Sequence, residues 1–161
     1  IGWPGVFLFS SIAPHLACGS APGGSQRLVG SRTKSMEKEA DFQITYSTKD
    51  GILEIIMTGK LIEADHDRMS AEMTAIIKEA GANLVLVDIR GLHGRLSIIQ
   101  TYLRVRNYPS HVYNTYIAML DTQENVYYGS FYEDTAVNAG MKLKFFTNID
   151  LARNWLKKAK M

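Results

Sequence analysis

Residues 83–97 read Asn83-Leu-Val-Leu-Val-Asp88-Ile-Arg-Gly-Leu-His-Gly-Arg-Leu-Ser97. The apolar, β-branched first half, Asn83–Ile89, is typical of a strand covered on both faces, as in a parallel sheet. An acid lies at the end of this strand, a basic loop with two glycines follows, and Ser97 stands where the next helix should begin. Because ligands in α/β folds gather at the carboxyl ends of strands, we expect the functional site here.

Two strands and a helix are predicted before this stretch. Phe42–Thr48 alternates apolar and polar residues, Asp50-Gly51 suits a hairpin turn, and Ile52–Met57 forms the returning strand. The apolar spacing then becomes helical and predicts a helix over Asp65–Ala80, ended by the following glycine.

The rest of the chain alternates helices and strands. We predict, in order, a helix over Ser97–Asn107, a strand over Thr115–Leu120, a helix over Gln123–Ala139, a strand over Met141–Phe146 and a last helix capped by Asn148. The last two helices should turn these residues toward the core: Tyr127, Tyr128, Phe131, Ala139, Leu151, Ala152, Trp155 and Leu156. The order predicts an α/β fold with an opening β-hairpin and then repeated β-α units. These should form a mainly parallel mixed sheet of about five strands with helices on both faces.

The first 35 residues differ in composition from the rest. They contain three of the chain's four prolines, many glycines and serines, and no helical or strand period. Such a segment buries too little apolar surface to offset its chain entropy. A secretory signal is disfavoured because no basic segment precedes the apolar run Val6–Phe9. We therefore predict a disordered leader, or a piece added for expression, over 1–35 and one domain over 36–161.

The charge balance and the cysteine count exclude several classes of protein. The chain has 18 basic and 16 acidic residues, but the first 35 residues hold three bases and no acid. The predicted domain is thus nearly neutral, and nucleic acid is not expected as a partner. One cysteine, Cys18, rules out an internal disulfide framework and fits a reducing, cytoplasmic compartment. No run of about 18 apolar residues occurs, so no membrane span is expected.

Three stretches of the predicted domain carry a family resemblance. They are Gly51-Ile-Leu-Glu-Ile-Ile-Met-Thr-Gly59 with the following helix, Leu84-Val-Leu-Val-Asp88, and the tail from Phe131-x-x-x-x-Ala136-x-Asn138-x-Gly140 through Phe146-x-Asn148-x-x-x-Ala152-x-x-Trp155-Leu156. In order and spacing the chain is similar to STAS domains. It resembles more closely the SpoIIAA-like group, which is named after bacterial anti-sigma-factor antagonists.

The resemblance implies a non-enzymatic role, either in switching between protein partners or in binding a small ligand. In anti-sigma-factor antagonists a serine after the corresponding loop is phosphorylated within an acid-Ser-Ser/Thr-Gly pattern. Here that stretch reads Arg95-Leu-Ser97-Ile98, without the acid, the second hydroxyl or the glycine. Ser97-x-x-Gln100 instead matches a helix capping box, which stabilises by about 1 kcal/mol and requires no further function.

The loop after the predicted third strand is the first candidate site. We assign to it, as a regulatory or binding loop, Asp88, Arg90, His93, Arg95 and Ser97. Its arginines and glycines could hold an anion before a helix N-terminus, although a solvated loop is the plainer interpretation. A protein partner or small ligand could bind there, and a homodimer is left open.

Two further hypotheses remain. A groove between the second and third predicted helices, lined by Tyr102, Tyr116, Tyr128 and Phe131, could carry a small apolar or amphipathic molecule. More distantly, Asp88, His93 and Asp121 could form a hydrolase-like acid–base site. No catalytic residue is assigned, and no cofactor or metal is expected, because adjacent residues such as Asp65-His66-Asp67 point to different sides of a helix.

Overall fold

The structure is a computed structural model that describes residues 41–159. Its strands are β1 (Phe42–Lys49), β2 (Ile52–Lys60), β3 (Leu84–His93), β4 (Tyr116–Leu120) and β5 (Lys142–Phe146). Its helices are α1 (His66–Glu79), α2 (Ile98–Val105), α3 (Ser110–Tyr113), α4 (Val126–Asn138) and α5 (Ile149–Ala159). Single 3₁₀ turns, Glu63–Asp65 and Gln123–Asn125, precede α1 and α4. The predicted leader lies outside the described residues.

The five strands form one sheet in the order β1-β2-β3-β4-β5. β1 and β2 pair antiparallel, and all later pairs are parallel. Between the first two strands, Asp50 and Gly51 have φ of 55° and 77°, the positive values that a tight two-residue hairpin turn requires. The predicted hairpin and the mainly parallel mixed sheet are therefore confirmed.

The sheet has a core on each face. Val85 and Val87 of β3 belong to the larger core, to which α1–α4 contribute. Leu84 and Leu86, the alternate residues of the same strand, belong to the smaller core under α5. This alternation follows from the two-residue period of a strand, and it explains why Asn83–Ile89 is apolar throughout. Helices lie on both faces, as predicted.

β3 is longer than the sequence predicts. It continues through His93 because β2 also continues, and Thr58, Gly59 and Lys60 pair with Gly91, Leu92 and His93 after a register shift. Gly91 fits closely in this register, since a Cβ there would lie 2.9 Å from the Thr58 methyl carbon and that side chain would have to shift. Most of the predicted basic loop is thus strand. The chain turns at Gly94, whose φ of +98° suits glycine.

Two aromatic or apolar residues predicted for the core are exposed instead. Tyr127 has 81% and Leu151 has 61% of its surface exposed. For Tyr127 the reason is its position on α4: at about 100° per residue it lies on the opposite side of the helix from buried Ala136. Of the other predicted core residues, Ala152 and Leu156 are fully buried.

Candidate functional site

Asp88 and Arg90 form an ion pair on the face of the sheet that bears α5. They are two residues apart on β3, so both side chains point to the same face. Arg90 Nε donates to Asp88 Oδ1 at 3.0 Å and Nη2 donates to Oδ2 at 2.7 Å. The hydrogen bond to the carboxylate raises the pKa of Arg90 above its usual value. The bidentate pair thus gives both the guanidinium and the carboxylate a hydrogen-bonding partner on the same strand.

Arg95 and Asp121 join the end of β3 to the end of β4. Arg95 Nη2 donates to Asp121 Oδ2 at 2.8 Å and also to the Ile89 carbonyl, while Nη1 donates to the carbonyls of Leu92 and Gly94. Asp121 has no exposed surface, and its other oxygen accepts from the Thr122 amide and the Asn125 side chain. Arg95 therefore holds the chain reversal in place and has few donors left for an anion.

The three residues of the hydrolase hypothesis do not bond to one another. Asp88 is bound to Arg90, Asp121 is bound to Arg95, and His93 is exposed at the end of β3. Each carboxylate is therefore taken up by an arginine and not by His93. These contacts do not support an acid–base site.

Ser97 is the exposed N-cap of α2. The Gln100 amide donates to Ser97 Oγ at 3.3 Å, and the Ser97 amide donates to Gln100 Oε1 at 3.0 Å. This reciprocal pair is the capping box that the sequence predicts. The serine is accessible, but its hydroxyl has a structural role.

The four aromatic residues proposed to line one groove do not meet. Tyr116 packs edge-on against Trp155 in the smaller core, with ring centroids 6.0 Å apart. Tyr128 lies on the opposite face, with its hydroxyl 3.4 Å from that of Thr101. Tyr102 is exposed beneath the Arg106 guanidinium, and Phe131 is half-buried on α4. Neighbouring residues of a strand point to opposite faces of the sheet. Since Ile117 faces the larger core, Tyr116 points to the other face.

An exposed apolar surface on α2 was not predicted. Four residues of this helix are between 45% and 72% exposed: Ile98, Ile99, Tyr102 and Leu103. The first turn of α4 adds exposed Val126 and Tyr127, and α4 contacts α2. We name these six residues the α2–α4 patch. The sequence alone would have assigned these residues to the core, because the apolar residues of Ile98–Val105 fall on one side of the helix.

A groove separates α1 from α2, with a volume of about 530 Å³. Its walls are formed by Glu63, Asp67, Ser70, Ala71, Thr74, Leu96, Gln100, Leu103, Arg104, Asn107, Tyr108 and Pro109. Behind it lies an apolar cavity of about 80 Å³, walled in part by Met57, Met69, Met73, Met119 and three tyrosines. We call these spaces the α1–α2 groove and the inner cavity. The sequence could not reveal them, because they depend on how two helices far apart in the chain pack.

Within residues 41–159, no three His, Cys, Asp or Glu side chains lie close enough together to hold a metal ion. In the same part of the chain no helix has the length and apolar character needed to cross a bilayer.

Solved structures share this fold. An anti-sigma factor antagonist from Mycobacterium paratuberculosis superposes with a TM-score of 0.52 at 8% sequence identity, covering 72% of this chain and 94% of its own. A protein of the DUF3478 family from Shewanella loihica PV-4, described as having a SpoIIAA-like fold, gives a TM-score of 0.49 at 19% identity, covering 71% and 93%. No protein-family model and no curated protein sequence matches the chain. At the level of the fold, the expected resemblance to anti-sigma-factor antagonists is confirmed.

Proposed function

We propose that this domain is a non-enzymatic regulatory module that binds a protein partner through the α2–α4 patch, beside Ser97. The single observation that carries the proposal is the set of large apolar side chains left exposed on α2. The similarity of the fold to an anti-sigma factor antagonist supports a partner of the anti-sigma-factor type.

The patch has the character of an interface core. Four of its residues share one side of α2, the other two lie in the first turn of α4, the helix that contacts α2, and two of the six are tyrosines, which are enriched in interfaces. A single exposed apolar residue needs no explanation, but a contiguous apolar patch on a domain usually marks an interaction site.

The charge of α2 supports a partner with an acidic surface. The helix and its C-cap carry Arg104 and Arg106 and no acid. Arg106 lies 4.4 Å from the centre of the Tyr102 ring, so a positive charge borders the patch. An apolar partner surface with an acidic rim would complement it, and the charges would set orientation and association rate.

Ser97 is where modification could regulate binding. It is exposed, it directly precedes Ile98 of the patch, and no acid lies in the first turn of α2. A phosphate there would meet the positive end of the helix dipole, which tolerates added negative charge. The hydroxyl would lose its capping role while the phosphate oxygens could take it over.

The non-enzymatic part of the proposal is supported by the bonding of the acids. Asp88 and Asp121 are each bound by an arginine and by backbone amides. These contacts explain the two strand-end carboxylates as structural groups.

A matched pair of variants tests the proposal. Ile99→Glu puts a charge in the centre of the patch, while Leu151→Glu makes the same change at an exposed leucine on α5. The partner is isolated on the wild-type chain from cells that express it, identified, purified and titrated by calorimetry. We expect one-to-one binding that Ile99→Glu weakens by about 30-fold or more, as for an interface anchor of about 2 kcal/mol, and that Leu151→Glu leaves unchanged.

Other outcomes would contradict the proposal. Equal weakening by both variants would show a general effect of charge, and unchanged binding by Ile99→Glu would place the interface elsewhere. Sedimentation that shows a dimer of this chain, lost in Ile99→Glu, would instead assign the patch to self-association.

A further inference from the structure

We propose that β1 is a dimerisation surface, which pairs antiparallel with β1 of a second copy of this chain and joins the two five-stranded sheets into one. This surface is separate from the α2–α4 patch, so the inference does not depend on the proposed function. β1 lies at one edge of the sheet. Apart from buried Phe42 and half-buried Ile44, every residue of β1 is exposed.

Half of the backbone groups of β1 point away from the sheet. The Lys60 amide of β2 donates to the Asp41 carbonyl at 2.7 Å, and the register of the two strands continues from this pair to the hairpin turn. Because hydrogen-bonded and non-hydrogen-bonded pairs alternate along antiparallel strands, the odd-numbered residues of β1 bond to β2. The even-numbered residues direct their amides and carbonyls outward: Phe42, Ile44, Tyr46 and Thr48. Among residues 41–159, no group outside β2 bonds to the backbone of β1.

The opposite edge of the sheet is protected against pairing, whereas β1 is not. β5 has five residues, of which Lys142 and Lys144 are exposed lysines, and its Phe145 amide donates to the Glu133 carboxylate of α4 at 2.8 Å. Short length, lysines and covered amides are features that keep edge strands from pairing. β1 has eight residues and no proline, and its one charged residue, Lys49, lies at its end. β1 is therefore the edge that is suited to take up another strand.

The sequence of β1 is self-complementary in one register. With a two-fold axis at Thr45, Ile44 lies opposite Tyr46 of the second copy, and Phe42 lies opposite Thr48. The outward backbone groups then form about eight hydrogen bonds, two for each hydrogen-bonded pair. The Tyr46 ring, which is 58% exposed, would lie beside Ile44 of the second copy, which packs against the larger core. Cross-strand contacts between aromatic and β-branched residues stabilise sheets.

Charge complementarity favours a second copy as the occupant of this edge. In the same register Asp41 lies opposite Lys49 of the second copy, and the two-fold axis repeats this contact at the other end of the paired strands. Neither side chain forms an ion pair within the described part of the chain. A parallel arrangement in register would place like charges together, and a shift by two residues would separate the opposite ones. The charges at the two ends thus select the antiparallel arrangement and its register.

Sedimentation velocity of the full chain at low ionic strength tests the dimer. A series from about 1 to about 300 μM spans a Kd on the order of 10 μM, as for an interface of modest area. We expect monomer and dimer without larger species, because two-fold pairing uses the free edge of both copies. A chain that stays monomeric over this range overturns the proposal.

A matched pair of variants places the contact on β1. Tyr46→Lys puts a lysine on the free edge and should raise the Kd of the dimer about tenfold or more. Ile56→Lys makes the same kind of change at an exposed isoleucine of the neighbouring strand β2 and should leave the Kd unchanged. A dimer that Ile99→Glu abolishes and Tyr46→Lys leaves intact would assign self-association to the α2–α4 patch and overturn the proposal.

Charge reversals test the register itself. Asp41→Lys and Lys49→Asp each place like charges opposite one another at both ends of the paired strands, so each should raise the Kd about tenfold. An equimolar mixture of these two variants restores opposite charges at both ends and should form mixed dimers with nearly the wild-type Kd. A folding defect cannot imitate this rescue. A mixture that dimerises no better than the single variants would overturn the proposed register.

Discussion

Arginine–carboxylate pairs determine how the carboxyl edge of this sheet is used. Arg90 is bound to Asp88 two residues away on the same strand, a contact that the sequence did not reveal because it predicts Arg90 in a loop after the strand. Arg95 is bound to Asp121, 26 residues away, at the end of a different strand. The sequence showed arginines between glycines and suggested an anion site. The structure shows that each of these two arginines already has a carboxylate from the chain.

We expect the Arg95–Asp121 pair to be important for stability. Asp121→Asn would leave Arg95 largely buried beside a neutral group and would weaken the contacts to Thr122 and Asn125. The free energy of unfolding should fall by about 3 kcal/mol or more, as when one partner of a buried pair is removed. Urea unfolding followed by tryptophan fluorescence measures this change.

Asp67→Asn is the matched control, because Asp67 pairs with Arg104 from a position that is almost fully solvated. Its effect on the urea midpoint should be far smaller. Equal midpoints for Asp121→Asn and the wild type would mean that the buried pair does not stabilise the domain.

At the scale of the element, α2 combines a predictable start with an unpredicted surface. Its capping box follows from Ser97 and Gln100, a local pattern that needs no tertiary information. Its exposed apolar residues could be assigned only once α1, α4 and the sheet had shown which side of the helix they cover. Buried Thr101 and Val105 mark that covered side.

Substitutions of Ser97 separate capping from regulation. Ser97→Ala should lower the free energy of unfolding by about 1 kcal/mol through loss of the cap, whereas Ser97→Asp should retain nearly full stability because aspartate caps equally well. Ser130→Ala, at an exposed serine within α4, is the control and should be neutral or slightly stabilising. Thermal unfolding by circular dichroism reports all three. An unaffected Ser97→Ala would mean that the cap contributes little.

β3 shows why the end of an element is harder to predict than its middle. The apolar run to Ile89 was identified, but Arg90, Gly91 and His93 do not resemble a buried strand. They are strand because β2 extends beside them after the register shift. Pairing between distant segments overrode local composition here, as it often does for strands.

On the scale of the whole molecule, the sheet carries four helices on one face and α5 on the other, among the described elements. The face that carries four helices also holds the α1–α2 groove and the inner cavity. α2 carries residues of both the groove wall and the patch, and Leu103 belongs to both. His66 at the start of α1 lies in the wall of the inner cavity, and 5% of its surface is exposed.

The pH dependence of stability should report on His66. Burial, and then the charge of Arg104, lower the pKa of His66, while Asp67 and Glu63 oppose this and Arg95 adds to it. The fold therefore prefers neutral His66. The unfolded chain binds the proton first, near pH 6.5, so stability is full above that pH and falls as pH drops from about 6.5 through the lowered pKa of the folded state.

Urea midpoints between about pH 7.5 and about pH 5 test this sign. His66→Gln should flatten the decrease, while His93→Gln, at an exposed histidine, should behave like the wild type. A wild-type midpoint that rises on acidification over this range would contradict the assignment.

The sequence by itself determined the hairpin, the order of strands and helices, the sheet with helices on both faces, and the cap at Ser97. These follow from the hydrophobic period, glycine turns and capping residues, which act over a few neighbouring positions. The tertiary structure decided the rest: the extension of β3, the pairing of Arg95 with Asp121, the separation of Tyr116 from Tyr128, the α2–α4 patch and the α1–α2 groove. Each depends on contacts between segments far apart in the chain, where packing and ion pairing select the partner and local composition does not.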